Sequence, residues 1–285
     1  MRPAVRVAKE VVIRGVVALA LGVGATQCAQ SPTGPKGDPW RFLPGTVVSL
    51  SFAEFRNGRQ CWVYLPPGYA QSSRRYAVLY LNDGETAFDG EFGMHVNRIC
   101  EDLIRRGEIE PIVVVAIENE PDRRTFDYTP WTASYWMPNG GGDAYLEAVR
   151  DTLKREVDRR FRTLTDPGST AIAGTSLGGL ISAYAGYAYD STFGKVAAFS
   201  PSYGYASYAI VRYAETRGRP YFFERFYQDT GYPDDNWLGP MEQVALAQGF
   251  QLGVDFMSLT AEGGEHSSSS WEHRFPDMLR FLFPP

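Results

Sequence analysis

Hydrophobic and polar residues follow two rhythms along this chain. "TVVSLSF" (46–52) and "RQCWVYL" (59–65) alternate apolar with polar, which predicts a pair of antiparallel strands. "YAVLYLN" (76–82), "PIVVVAI" (111–117), "STAIAG" (169–174) and "KVAAFS" (195–200) are apolar throughout. Such runs predict strands covered on both faces. Two further strands are predicted at "PYFFERFYQD" (220–229) and "LGVDFMSLTA" (252–261). Between the strands, residues 93–109, 143–161, 177–189, 236–250 and 273–283 have helical spacing. Strand and helix alternate through most of the body. That order calls for an α/β fold in one domain, with a mainly parallel central sheet and helices on both faces.

The start of the chain follows neither rhythm. Arg2, Arg6, Lys9 and Arg14 precede "GVVALALGVGA" (15–25), an uncharged run too short to span a bilayer comfortably. Residues 1–28 therefore read as a secretory signal, with Val23-Gly24-Ala25 as cleavage site, and predict export to the periplasm or beyond. Cys28 offers a second reading, a lipoprotein signal that would anchor the protein to a membrane by lipid. Gln27 argues against it, because that position is normally a small residue. An uncut N-terminal anchor is the plain alternative. Residues 29–45, rich in Pro, Gly and polar residues, read as a linker, and 46–285 as the folded body.

Composition narrows the function classes. The 285-residue chain is 44% hydrophobic, enough for one large core, and carries a net charge of −5. Loss of residues 1–28, which hold four basic residues and Glu10, would leave a body of charge −8. An acidic body makes nucleic acid an unsuitable partner. Cys61 and Cys100 are too few for a disulfide framework; two buried thiols are favoured over one bridge. The three histidines, His95, His266 and His273, form no His-x-x-x-His pair, and there is no Cys-x-x-Cys. "NDGETAFDGEF" lacks calcium-loop spacing, and no lysine follows the glycines of "GTSLGG" to hold a phosphate. No metal and no cofactor is expected.

The strongest candidate for chemistry is "AIAGTSLGGL" (171–180). A buried strand runs into Gly174-Thr175-Ser176-Leu177-Gly178, and a helix follows. Gly-x-Ser-x-Gly between strand and helix is the pattern of a nucleophile elbow. A capping serine in a glycine-rich turn is the bland alternative. A serine hydroxyl needs a base, and the base needs an acid to orient it. Of the two histidines after Ser176, His266 sits in a Gly- and Ser-rich loop past the last strand; His273 falls at the start of the closing helix. His266 is preferred. For the acid, Asp229 reads as strand and Asp235 as a helix cap, which leaves Asp234. The backbone N–H of Leu177 and that of Glu85, in the "NDGETAF" turn, are the expected oxyanion donors.

With these pieces in place the chain resembles the Putative esterase family of α/β-hydrolases, which includes feruloyl, acetylxylan and enterochelin esterases, S-formylglutathione hydrolases and mycolyltransferases. The resemblance covers residues 46 to 284. It rests on "WVYLPPGY", "YAVLYLNDGETAFDG", "PIVVVAIEN", "DRRTFDYTPW", "AIAGTSLGGL", "AFSPSYG", "DTGYPDD" and "GGEHSSSSW". It implies an α/β-hydrolase fold and a serine carboxylic-ester hydrolase that needs no cofactor. Family members place the acid at the end of a turn matching Gly231-Tyr232-Pro233-Asp234, and the base in a segment matching Gly263-Gly264-Glu265-His266. The glycine before Glu85 matches the family's oxyanion turn, although Asn82-Asp83 stands where several subgroups carry a histidine.

The long segment 118–142 carries Arg123, Arg124, Tyr128, Trp131, Tyr135, Trp136 and Met137. Long loops often serve function, and aromatics beside a cleft suit sugars or aryl groups. Tyr128, Trp131 and Trp271 are the candidate substrate contacts, with packing of the loop as the equal alternative. The expected function is an exported esterase acting on a small-molecule or carbohydrate-linked ester of carbohydrate, phenolic or siderophore type. An acyltransferase that passes the acyl group to a sugar or lipid, or a non-catalytic carbohydrate- or partner-binding protein, are the alternatives.

Overall fold

Eight strands pair in the order β1-β2-β4-β3-β5-β6-β7-β8 in the computed structural model. It describes residues 44–51, 55, 58–88, 93–133, 140–231 and 238–285. The chain divides into Met1–Lys36, which lies outside the described residues, and Gly37–Pro285, which holds the sheet. The leader, Cys28 and nearly all of the linker are therefore outside the description.

β1 (Thr46–Ser51) and β2 (Gln60–Leu65) pair antiparallel, and β2 joins β4 (Ile112–Ile117) antiparallel as well. β3 (Ala77–Asn82), β4, β5 (Thr170–Thr175), β6 (Lys195–Phe199), β7 (Arg225–Gly231) and β8 (Phe256–Ala261) are all parallel. The α/β reading of the sequence is what the structure has.

Period-two alternation sorts side chains onto two faces. Tyr76, Val78 and Tyr80 of the β3 region, with Val113, Val115 and Ile117 of β4, face one cluster. It is completed by α5 (Leu177–Ala188), α6 (Ala209–Arg217), α7 (Leu238–Ala247) and the helical run from α3 (Gly142–Ala148) through a π-helical stretch (Val149–Lys154) to α4 (Arg155–Arg160). Ala77, Leu79 and Leu81 face the other cluster, packed by α1 (Val96–Arg106) and α8 (Ser268–Leu282). Cys61 lies in the first cluster and Cys100 in the second, so the sheet separates them and both thiols are free and buried. Burial pushes the Cys61 thiol up to about 12.

Three elements differ from the pattern reading. Residues 220–224 form a turn, in which the Phe223 N–H donates to the Pro220 carbonyl, and β7 runs from Arg225 to Gly231. Phe223 is buried as the anchor of this turn, while Tyr221 and Phe222 are exposed. α2 (Arg124–Asp127) lies inside the long segment after β4. α8 begins at Ser268, five residues early, because the Ser267 side chain accepts from the Ser270 N–H and caps it.

Strand order fixes the place of the site. From β3 the chain moves out to β4 on one side, then crosses to β5 on the other. Loops leaving the carboxyl ends of β3 and β5 therefore diverge, and a crevice opens between them.

Candidate active site

Ser176 stands in that crevice, between β5 and α5, with φ 57° and ψ −118°. A positive φ is costly for serine, and such residues persist only where their surroundings hold them. Here the Ser176 N–H donates to the Phe199 carbonyl at 2.9 Å, and its carbonyl accepts from Leu180 at 3.1 Å and Ser202 at 3.0 Å. The flanking glycines are explained by contact. A Cβ on Gly174 would lie 2.5 Å from the Gly178 carbonyl carbon, and one on Gly178 would lie 2.9 Å from Asp83 Oδ2. The turn is too tight for side chains against its own backbone and against the loop after β3. Leu177 opens α5, so its N–H is one that a helix leaves without an internal acceptor.

The loop after β3 meets this turn. Its left-handed residue is Asp83, at φ 58°, rather than Gly84. The Asp83 carboxylate takes a two-pronged contact from Arg124, Nε to Oδ1 at 2.7 Å and Nη2 to Oδ2 at 2.8 Å, and accepts from Asn119 Nδ2 at 2.8 Å. Arg124 also reaches the Thr175 carbonyl at 3.4 Å. Asn82 is buried beside it, accepting from the Tyr145 hydroxyl and donating to Ser182. Glu85 follows, exposed; its carboxylate accepts from the Asn119 N–H and from Asn119 Nδ2. Partial desolvation pushes that carboxyl up.

The loop after β6 supplies two serines. Ser202 Oγ lies 3.2 Å from Ser176 Oγ. Ser200, at φ 41°, has a hydroxyl that accepts from Trp271 Nε1 and from Arg274 Nη2, both at 3.1 Å. The His266 ring is exposed and stands edge-on to Trp271, with centroids 5.1 Å apart. The histidine loop thus reaches the loop that touches Ser176. His273 lies inside α8 and donates from Nδ1 to the Ser269 carbonyl at 2.6 Å.

Asp234 falls in 232–237, outside the described residues. Its turn begins at Gly231, where a Cβ would lie 2.4 Å from the Gly264 carbonyl oxygen. The end of β7 and the histidine loop are therefore in backbone contact. Asp229 is wholly buried and is paired with Arg274, Nε to Oδ2 at 2.9 Å. It also accepts from the Tyr227 hydroxyl and the Ser200 N–H. Burial pushes its carboxyl up, and these partners pull it back.

Among the candidate substrate contacts, Tyr128 needs correction. It is wholly buried, and its hydroxyl accepts from the Asp83 N–H at 3.1 Å, so it supports the β3 loop from beneath. Trp131 is half-buried against Tyr184 and Tyr213, with centroids 5.2 and 6.0 Å away. Trp271 is half-buried between His266 and Ser200. Tyr135, Trp136 and Met137 lie outside the described residues. Among the described residues no cluster of His, Cys, Asp or Glu is placed to hold a metal ion.

A model of the Putative esterase family matches residues 53–282, most of the chain. The chain belongs to this family. Its relatives include the uncharacterized protein YbbA of Bacillus subtilis, 30% identical over 165 residues, which are 56% of this chain and 63% of that protein. Another is the iron(III) enterobactin esterase of Escherichia coli, 26% identical over 186 residues, or 64% of this chain and 42% of the relative. The matched segments thus span less than two thirds of either relative's length. Among solved structures, a ferulic acid esterase superposes with TM-score 0.64 at 20% identity, covering 85% of this chain and 98% of its own. The fold is shared.

Sequence reasoning missed three features of this candidate site: Ser202, the Asp83–Arg124 fork and the Asp229–Arg274 pair. Only Arg124 carried a signal, as one of two adjacent arginines in a long loop. Paired charges 41 and 45 residues apart leave no local pattern.

Proposed function

We propose that this esterase-family protein is a serine carboxylic-ester hydrolase with Ser176 as nucleophile, His266 as base and Asp234 as the acid that orients it. The observation that carries the reading is the backbone of Ser176. It holds a costly positive φ at the crevice of the sheet, directly before the free first amide of a helix. Ser176 Oγ attacks the ester carbonyl carbon while His266 takes its proton. The N–H groups of Leu177 and Glu85 hold the oxyanion. Collapse of the tetrahedral adduct expels the alcohol, which receives the proton from His266. Water then adds to the acyl-enzyme by the same route and releases the acid. Contact between Gly231 and Gly264 supports Asp234, since it draws the acid's turn toward the histidine loop.

The substrate class follows the relatives: a phenolic, carbohydrate-linked or siderophore-type ester, with Trp131 and Trp271 beside it. Export through residues 1–28 is part of the proposal, supported by the basic start and short apolar run. Purified protein should hydrolyse p-nitrophenyl acetate and take up a fluorophosphonate probe, and Ser176→Ala should do neither. Full labelling of that variant would remove Ser176 from the mechanism. Mass measurement of the mature N-terminus checks export.

A further inference from the structure

We infer that the buried Asp229–Arg274 pair is the positioning device that sets the histidine loop against the serine elbow. The inference rests on the assignment of Ser176 and His266 above.

Arg274 is the hub. Its Nε meets Asp229 at the carboxyl end of β7, and its Nη2 donates to Ser200 Oγ, two residues from Ser202 and its contact with Ser176. Its Nη1 donates to Ser270 Oγ at 2.7 Å, and the same hydroxyl accepts from the Glu265 N–H at 2.9 Å. Glu265 directly precedes His266. Trp271 completes the circuit, donating to Ser200 while its ring lies against His266. One guanidinium thus ties together the end of β7, the loop after β6, the first turn of α8 and the residue before the base.

Apolar packing alone would not fix this arrangement. Phe275, Met278, Leu279 and Leu282 bury α8 against the sheet, but burial is non-directional and tolerates a slide or rotation of the first turn. The directional bonds from Nη1 and Nη2 of a planar guanidinium do not, and the ion pair of Nε with Asp229 adds charge attraction. The side chains are 8% and 0% exposed for Arg274 and Asp229, so two charges have been taken out of water where an apolar pair would have filled the space. Neither residue is placed to touch substrate; each acts through His266.

Kinetics on p-nitrophenyl acetate and the rate of fluorophosphonate labelling test this in the full chain. Arg274→Lys keeps the charge and loses the fork. Ser200→Ala keeps the ion pair and removes the acceptor shared by Arg274 and Trp271. Each should lower kcat by about tenfold or more and leave KM within about twofold, because a misplacement of about 1 Å costs rate before it costs binding. Labelling should slow with kcat. Arg219→Lys, at the Arg219–Asp255 pair of 2.7 Å beside the opposite end of β8, is the control for general destabilisation and should leave kcat in place. Should Arg274→Lys fail to fold, Ser200→Ala decides. Variants that fold and keep the wild-type kcat and labelling rate overturn the inference while leaving Ser176 as nucleophile. A wild type that takes no label would instead remove the assignment beneath it.

Discussion

The serine limb and the histidine limb of the site are built by different means. Ser176 and Leu177 are half-buried, and Gly174 and Gly178 are held between strand, helix and the β3 loop at distances that admit no Cβ. The turn itself, the loop after β3 and the end of β6 with its loop specify that geometry. His266 is exposed, in a loop whose place depends on Arg274, Ser200, Ser270 and Trp271, drawn from two elements 70 residues apart. The first limb is rigid because its backbone has nowhere else to go. The second is placed by a polar network that a single substitution can loosen. On the proposed assignment, the nucleophile is fixed by sterics and the base by hydrogen bonds.

Substitutions can break either limb. Ser176→Ala should give the largest effect, a fall in kcat of about 10³-fold or more on p-nitrophenyl acetate, with the melting temperature nearly unchanged. Gly174→Ala should come next. Its Cβ would meet backbone that cannot yield, and overpacking costs about 1–3 kcal/mol, read by denaturant unfolding, with kcat falling alongside. Arg124→Gln tests the support of the elbow. Losing a charge-assisted fork on Asp83 should destabilise by about 1.5–3 kcal/mol. Activity should fall further than in a surface control such as Arg159→Gln. Glu85→Ala should give the smallest effect, because the proposed oxyanion donor is its backbone N–H, which alanine keeps. It loses the carboxylate contacts with Asn119, and a net hydrogen bond is worth about 1 kcal/mol, so kcat/KM should fall by no more than about fivefold. A larger fall in kcat/KM there would show that the carboxylate is used.

Most of the fold was legible because its signals are local. The fully apolar runs at β3, β4, β5 and β6 can only be strands covered twice, and the glycines around Ser176 mark the elbow within five residues. Misreadings arose where one pattern has two causes. Phe222 and Phe223 looked like strand residues, yet Phe223 is buried by anchoring a turn. The serines of 267–270 looked like loop, yet Ser267 caps a helix. Tyr128 reads equally as a substrate contact or as packing; it is wholly buried, with its hydroxyl accepting from the Asp83 N–H.

The sequence by itself determined most of the strands and helices, the α/β class and the glycine-flanked turn at Ser176 between strand and helix. These depend on periodicity and on residues a few positions apart. Tertiary structure decided that Asp83 meets Arg124, that Asp229 meets Arg274 and that Ser202 lies against Ser176. Those meetings depend on strand order and register, because β3 stands next to β5, and β6 and β7 end side by side under the start of α8. A charge carries no mark of its partner along the chain; the sheet brings the two together.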